Sequence, residues 1–330
     1  MTAVTDSERG GRWRELLATL LPTLRAFAIP MRNRFRGITV REGALLRGPA
    51  GWGEFSPFAE YGPAESSRWL ASAIESAATG WPEPVRSAVG VNVTVPAVGP
   101  AAAHAIVASS DCLTAKVKVA EPGQRERDDV ERVAAVRDAL GPSGRIRVDA
   151  NGGWDVQQAV HMLRRLAEFC LEYAEQPCMT LDELARLRRL VDIPLAADES
   201  IRKAADPLEV RAAGAADVVV LKVAPLGGVR PALRIAAECG LPVVVSSAVE
   251  SSVGLAAGVA LAAALPRLDY DCGLATTSLL TGDITAQPLV AAGGMLPLRR
   301  CEIDAQQLAR WECDPGSWRE RALAAAEYLG

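Results

Sequence analysis

Ionisable side chains recur through the middle of the chain at nearly regular intervals, each at the end of an apolar, β-rich run. In order they are Lys118, Asp149, Glu175, Asp198 and Lys222, and consecutive members lie 31, 26, 23 and 24 residues apart. Each interval is about the length of one strand and one helix. Consecutive parallel strands would therefore bring one ionisable side chain each to the same rim of a sheet, where the carboxyl ends of the strands meet.

Three of these groups are carboxylates, and their proximity would be unfavourable without a cation between them. Asp149, Glu175 and Asp198 would repel one another when ionised. Oxygen ligands without histidine or cysteine favour Mg²⁺ in octahedral geometry; Mn²⁺ could substitute, whereas zinc is disfavoured. The pattern therefore predicts a Mg²⁺ site, although a network of salt bridges between the acids and the lysines remains an alternative.

The lysines flank the predicted metal. Lys116 and Lys118 are two positions apart, so on a strand both side chains point to the same face. Mutual repulsion and partial burial are expected to lower their ammonium pKa values, which would make one of them a base near neutral pH. Lys222 lies four strands further along, across the lumen of a closed barrel. A substrate between the amines would suit removal of a proton α to a carboxylate.

From about residue 90 onward, short apolar runs alternate with segments of helical periodicity, such as 125–140 and 229–239. Gly141 and Gly240 follow these two segments and are expected to end the helices. Several runs are almost continuously Val, Ile, Leu and Ala, as burial on both faces of a parallel sheet requires. The pattern predicts an α/β fold, a (β/α)7β TIM-like barrel. The predicted strands are 91–95, 114–119, 145–149, 170–174, 194–197, 217–221 and 242–246, with a weaker eighth at 270–272.

The two ends of the chain have a different pattern. Residues 23–29 and 37–46 are predicted antiparallel strands, 48–62 a glycine-rich loop, and 64–80 a helical segment. We expect an α+β capping domain formed from both termini, comprising residues 1–89 with 294–330 returning to it. The barrel would then occupy 90–293. The first residues are interpreted as a short amphipathic extension rather than a signal peptide.

Composition limits the classes of function. The chain has 330 residues, 49% of them hydrophobic, with a net charge of −4 and a pI near 5.5. This balance does not favour nucleic acid or an anionic membrane as partner, and the chain lacks the run of about 18 apolar residues expected of a membrane span. Seven scattered cysteines indicate free thiols in a reducing cytoplasm. With only His104 and His161 present, acid–base chemistry is not expected to depend on imidazole.

The order of these motifs resembles the muconate-lactonizing branch of the enolase superfamily. The chain carries Lys-x-Lys, Asp-x-Asn, Glu-Gln-Pro and Asp-Glu-Ser, followed by a lysine on the next strand. The resemblance implies that the Mg²⁺ ligands are Asp149, Glu175 and Asp198. It also implies that Lys118 and Lys222 are the paired catalytic lysines and that Lys116 tunes Lys118.

Three segments narrow the resemblance to the actinobacterial type of the o-succinylbenzoate synthase family: 29–37 and 51–61 resemble its capping segments, and 244–252 its seventh strand. The implied enzyme is a lyase acting on a small-molecule carboxylate. Its reaction is the Mg²⁺-dependent syn-dehydration of 2-succinyl-6-hydroxy-2,4-cyclohexadiene-1-carboxylate to 2-succinylbenzoate in menaquinone biosynthesis. Ser246, Gly273 and Asn92 are the implied substrate contacts.

Two other functions remain open. An N-succinylamino-acid racemase, or another isomerase of the same branch, would use the same two lysines as opposed bases. A catalytically silent binding protein on the same barrel fits less well with five intact ionisable positions. A dipeptide epimerase is disfavoured because the place of its Asp-x-Asp motif reads Asp271-Cys-Gly273.

Overall fold

The computed structural model describes residues 6–35, 37–203 and 206–329. Residues 1–5 of the predicted extension and Arg36 of the 29–37 segment lie outside the described residues. Within the described part, the strands in chain order are β1 (Arg25–Phe35), β2 (Ile38–Gly48), β3 (Gly51–Phe55), β4 (Ala88–Gly90), β5 (Val93–Val95), β6 (Thr114–Lys118), β7 (Arg145–Asp149), β8 (Leu171–Glu175), β9 (Leu195–Ala197), β10 (Val218–Leu221), β11 (Val243–Val245), β12 (Met295–Pro297) and β13 (Glu312–Cys313).

The central sheet is parallel and runs in chain order from β5 to β11. Two isolated parallel bridges, Val91 with Cys272 and Ser246 with Gly273, join its edges to one short segment. That segment takes the place of the eighth strand, because it pairs with both ends of the sheet. The predicted barrel is confirmed, with its eighth strand reduced to two residues.

Helices cover the outside of the barrel and build part of the cap. Gly141 and Gly240 have positive φ angles of 70° and 64° at the ends of the helices they follow, as predicted. Asp155 and Thr180 accept hydrogen bonds from backbone N–H groups at two helix starts. In chain order the helices are α1 (Asp6–Leu20), α2 (Pro63–Ile74), α3 (Pro100–Ala108), α4 (Glu126–Leu140), α5 (Val156–Leu166), α6 (Leu181–Arg188), α7 (Glu199–Arg202), α8 (Glu209–Ala212), α9 (Val229–Cys239), α10 (Ser252–Ala264), α11 (Ala305–Trp311) and α12 (Gly316–Ala326).

A four-stranded antiparallel sheet, in the order β13-β1-β2-β3, forms the cap with α2. The prediction of a loop across 48–62 is wrong where β3 forms. The glycines there serve close packing: a Cβ at Gly53 would lie 2.0 Å from the carbonyl oxygen of Ala73 in α2. The predicted helical segment at 64–80 is α2 followed by a π-helical turn, and it ends at Gly80 with a φ of 70°.

The C-terminal part of the chain contacts both units. β12 pairs with β4, next to the barrel, whereas β13 pairs with β1 in the cap. In the cap, the ring of Trp318 from α12 meets Phe55 edge-on, with ring centroids 5.8 Å apart. The division into a cap of 1–89 with 294–330 and a barrel of 90–293 stays a proposal.

Apolar side chains fill two main regions, one between the barrel strands and their outer helices and one inside the cap. A smaller group, which includes Tyr173, Val220 and Val244, fills the barrel interior. None of the helices in the described ranges combines the length and apolarity needed to cross a bilayer.

Candidate active site

Neighbouring strands bring the predicted residues together by register. Lys118 on β6 lies beside Asp149 on β7, and Asp149 lies beside Glu175 on β8. Each is the last residue of its strand, so the three side chains emerge at the carboxyl end of the barrel. All three are buried.

The acids and the lysines are in direct contact. The Nζ atom of Lys116 lies 2.9 Å and 3.0 Å from the two carboxylate oxygens of Glu175, and 3.4 Å from Oδ2 of Asp149. The Nζ atom of Lys118 lies 2.5 Å from Oδ2 of Asp149 and 2.6 Å from Oδ1 of Asn151. The structure therefore places both lysines of the Lys-x-Lys motif on the acids, as the shared strand face requires.

Asp198 and Lys222 form a second pair at the ends of the next two strands. The Nζ atom of Lys222 donates to Oδ2 of Asp198 at 2.6 Å. Lys222 is also near enough to Asp149 to help lower its pKa, so the two pairs belong to one cluster. The structure thus brings together all three predicted acids and all three predicted lysines.

The pKa values of Asp149 and Asp198 are lowered, whereas that of Glu175 is raised. Burial opposes ionisation of Asp149, but the ammonium groups of Lys118 and Lys116 hold its pKa below the ordinary value. Burial likewise opposes ionisation of Asp198, whose pKa is lowered by Lys222 and Arg202. Burial and then the charge of Asp149 raise the pKa of Glu175 to about 7.

The lysine that contacts Glu175 does not behave as the sequence suggested. Burial opposes the charge of Lys116, but the carboxylates of Glu175 and Asp149 raise its pKa above the ordinary value. The prediction of a lowered pKa is wrong for Lys116 in this arrangement, because two adjacent carboxylates outweigh burial and the neighbouring ammonium.

The donor set suits a hard divalent cation, since it consists of buried carboxylate oxygens without nitrogen or sulfur. Within the described ranges, however, no three His, Cys, Asp or Glu side chains lie close enough together to ligate one ion. Ammonium groups lie between the acids instead, and the salt-bridge network considered as an alternative is what this arrangement shows. The assignment of Asp149, Glu175 and Asp198 as Mg²⁺ ligands therefore stays a prediction.

Of the predicted substrate contacts, Ser246 lies best placed. It shares a strand face with Val244, which belongs to the barrel interior, so its side chain points inward at the carboxyl end of β11. Gly273 lies beside it, but its N–H already donates to the carbonyl of Val245 at 2.8 Å. The structure therefore does not support the prediction that this N–H is offered to substrate. Gly273 instead leaves room for the side chain of Ser246, because a Cβ at this position would lie 2.6 Å from Oγ of Ser246.

Asn92 is not brought to the acids. Its Oδ1 accepts a hydrogen bond from the buried guanidinium of Arg147 at 3.1 Å, and its Nδ2 donates to the carbonyl of Val93 at 3.2 Å. These bonds give Asn92 a structural partner inside the barrel, and its contact with substrate stays a prediction without support from this geometry.

Several residues without a role predicted from the sequence organise the site. Arg202 donates to Oδ1 of Asp198 at 3.2 Å, to Glu199 at 2.6 Å, and to the hydroxyl of Tyr61 in the cap at 2.6 Å. The side-chain oxygen of Gln176 accepts from the backbone N–H of Asp198 at 2.9 Å. Gln176 belongs to the Glu-Gln-Pro motif, so its spacing was a usable signal.

An aromatic residue of the cap also contacts Lys118. The ring of Phe35, at the end of β1, lies under Lys118, with Nζ 5.1 Å from the ring centroid. His104 and His161 lie on outer helices, where each contacts a carboxylate partly or largely open to solvent. Their positions agree with the expectation that imidazole has no part in the chemistry.

Comparisons with known proteins agree with this architecture. Residues 100–301 match the family model "Enolase C-terminal domain-like", and residues 26–77 match "Enolase N-terminal domain-like". Among solved structures, muconate lactonizing enzyme from Pseudomonas fluorescens has a TM-score of 0.74 at 24% identity, covering 88% of this chain and 98% of that one. A dipeptide epimerase from Enterococcus faecalis has a TM-score of 0.70 at 21% identity, covering 84% and 96%. At these identities the likeness shows the fold.

Sequence relatives are much closer. The o-succinylbenzoate synthase of Thermobifida fusca is 68% identical over 92% of this chain and 96% of its own length. The o-succinylbenzoate synthases of Mycobacterium ulcerans and Mycobacterium tuberculosis are 56% and 52% identical over 95% of this chain and 96% of theirs. The chain therefore belongs to the o-succinylbenzoate synthase family, a family of metal-dependent dehydratases within the enolase superfamily.

Proposed function

We propose that this chain catalyses the Mg²⁺-dependent syn-dehydration of 2-succinyl-6-hydroxy-2,4-cyclohexadiene-1-carboxylate to 2-succinylbenzoate, a step of menaquinone biosynthesis. The observation that carries the proposal is the pair of amines, Lys118 and Lys222, held on two different acids of one buried cluster. The high identity to the synthases over nearly the whole chain supports it as well.

In this proposal Lys118 is the base. Its amine removes the proton α to the ring carboxylate and then, as an ammonium, donates a proton to the departing hydroxyl group, so that water leaves and the ring becomes aromatic. One residue on one face performs both transfers, which makes the elimination syn. Asn151, whose Oδ1 lies 2.6 Å from Nζ of Lys118, would orient the amine.

Lys222 would act from the other side. Its ammonium would stabilise the negative charge that develops on the substrate carboxylate when the α proton leaves. Lys116 would remain charged beside Glu175 and add positive charge near the substrate carboxylate.

Asp149, Glu175 and Asp198 would hold the Mg²⁺, which supplies Lewis-acid stabilisation of the substrate carboxylate. The contacts that these acids now make with lysines are compatible with that role. Both arrangements place positive charge against the same buried carboxylates, and loading would exchange ammonium contacts for the ion.

The test is turnover by the purified protein with Mg²⁺ and the cyclohexadiene substrate, followed by the ultraviolet absorbance of the aromatic product. We expect stoichiometric formation of 2-succinylbenzoate. Incubation of N-succinyl amino acids in deuterium oxide provides the comparison with the racemase. Exchange of the α proton without any dehydration activity would contradict the proposal and favour the isomerase.

A further inference from the structure

The segment that follows β11 is held in a strained conformation. Val249 has a φ of 63°, in the left-handed region that a β-branched residue rarely adopts. Ser247 accepts a hydrogen bond from the N–H of Val249 at 2.7 Å, and its hydroxyl is 2.6 Å from that of Thr276. Strain of this kind persists only where surrounding contacts determine the conformation.

Within the segment, Glu250 accepts from the N–H of Ala248 at 2.8 Å, and two buried side chains of the cap add contacts from outside. Arg41, on β2, donates from Nε to the carbonyl of Val249 at 3.0 Å and from Nη2 to the carbonyl of Ser56 at 2.5 Å. Glu54, on β3, accepts from the hydroxyl of Ser251 at 2.5 Å and from the N–H of Gly254 at 3.1 Å. The cap therefore holds the segment at Val249, through Arg41, and at the start of α10, through Glu54.

The charges at this contact are complementary. Glu54 accepts at the N-terminus of α10, where unpaired N–H groups and the helix dipole favour a carboxylate. Arg41 bonds to Ser56, whose hydroxyl in turn donates to Glu54 at 2.7 Å. The arginine, the serine and the glutamate thus form one connected unit, which fixes the segment relative to the cap.

The other end of the segment is Ser246, whose side chain points into the active-site mouth. Ser246 has little room to move, because it forms a bridge to Gly273 and its Oγ fills the space where a Cβ of that glycine would be. A shift of Val249 would be transmitted through Ser247, which is bonded to both Val249 and Thr276. Ser246 is thus held from two sides, by its bridge to Gly273 and, through Ser247, by the contact of Arg41 with Val249.

We propose that Glu54 and Arg41 are positioning residues, which set the affinity for the substrate carboxylate by holding the 246–251 segment. The inference rests on the proposed function, since Ser246 is taken to meet the carboxylate that is remote from the reacting bond. Neither residue touches the acids or the lysines in the contacts described above. Their loss should therefore act on binding rather than on the chemical step.

The chain contains a matched control in Glu75. This second buried cap carboxylate accepts from the N–H groups of Val229 and Arg230 at 2.5 Å and 3.2 Å, at the N-terminus of α9. Glu54→Gln and Glu75→Gln make the same chemical change at the same kind of cap–barrel contact. Only the first of these contacts involves the segment that begins at Ser246.

The experiment measures kcat and KM for dehydration, and hydrogen exchange of 246–254, in the wild type and in both variants at pH 8, where Glu54 is ionised. We expect Glu54→Gln to raise KM about 10-fold with kcat changed less than about 2-fold, and to speed exchange in the segment, whereas Glu75→Gln leaves KM within about 2-fold. Arg41→Lys, which keeps the charge, should give a smaller rise in KM than Arg41→Met. Equal KM effects from the two glutamate variants, or unchanged exchange in Glu54→Gln, would overturn the proposal. Absence of dehydration by the wild type would refute the proposed function instead. Hydrogen exchange of 246–254 in the two glutamate variants would still test whether Glu54 holds the segment.

Discussion

Replacement of Lys118 by alanine tests the assigned base. The variant removes an amine that lies 2.5 Å from Asp149 and 2.6 Å from Asn151. General acid–base catalysis by one positioned group contributes about 10²- to 10⁴-fold, and Lys118 is assigned both proton transfers. We therefore expect kcat for dehydration to fall by at least about 10³-fold.

The same substitution should leave a folded protein that still binds the ion. Asp149 retains Lys116 at 3.4 Å, so its charge is not left without compensation, and the destabilisation should be less than the roughly 3–5 kcal/mol typical of a broken buried pair. Titration calorimetry should show Mg²⁺ binding by Lys118→Ala, and circular dichroism should show a native fold.

Lys203→Ala is the control for loss of a lysine near the site. Lys203 is exposed, and its Nζ lies 5.7 Å from the ring centroid of Tyr61, away from the acids. Its kcat should stay within about 2-fold of wild type, as expected of a surface substitution. A Lys118→Ala variant with kcat within 10-fold of wild type would refute the assignment of the base.

Three other predictions concern the ion, the packing beside Ser246 and the pH dependence of stability. Chelation with EDTA should abolish dehydration, and added Mg²⁺ should restore it; full activity after exhaustive chelation would contradict a metal-dependent reaction. Gly273→Ala should lower the free energy of unfolding, measured with urea, by about 1–3 kcal/mol, because the new Cβ would lie 2.6 Å from Oγ of Ser246. An unchanged urea midpoint would contradict this prediction and show that Ser246 can move aside. Burial raises the pKa of Glu54 from 4.5 to about 7 in the folded state. The folded state therefore binds this proton more tightly than the unfolded state does; the resulting stabilisation is fully present below pH 4.5 and is lost as the pH rises through 7. The stability difference between wild type and Glu54→Gln should therefore shift by up to about 3 kcal/mol from pH 4.5 to pH 8, in favour of the variant at the higher pH; a constant difference would contradict the raised pKa.

The barrel and the convergence of the site could be predicted because their signals are local. A buried parallel strand is a short apolar run, and an ionisable residue such as Asp149 or Glu175 at its end is visible in the same few positions. Periodic spacing then places such residues at one rim. The glycines of β3 misled the prediction because they permit close packing against α2, a reason that only the tertiary structure shows.

The contacts between cap and barrel could not be predicted from local patterns. Glu54 and Ser251 are 197 positions apart, and Arg41 and Val249 are 208 apart, so neither pair leaves a periodic signal. The raised pKa of Lys116 was missed for a related reason. It depends on the carboxylate of Glu175, which lies two strands away, and not on its neighbours in the chain.

A crystal structure of the protein with Mg²⁺ and the product 2-succinylbenzoate would test the proposed arrangement of ion and lysines directly. We expect one ion bound by Asp149, Glu175 and Asp198, with the amines of Lys118 and Lys222 released from the acids and lying on opposite faces of the ring. An ion bound elsewhere, or amines that remain paired with Asp149 and Asp198 while the product is bound, would contradict it.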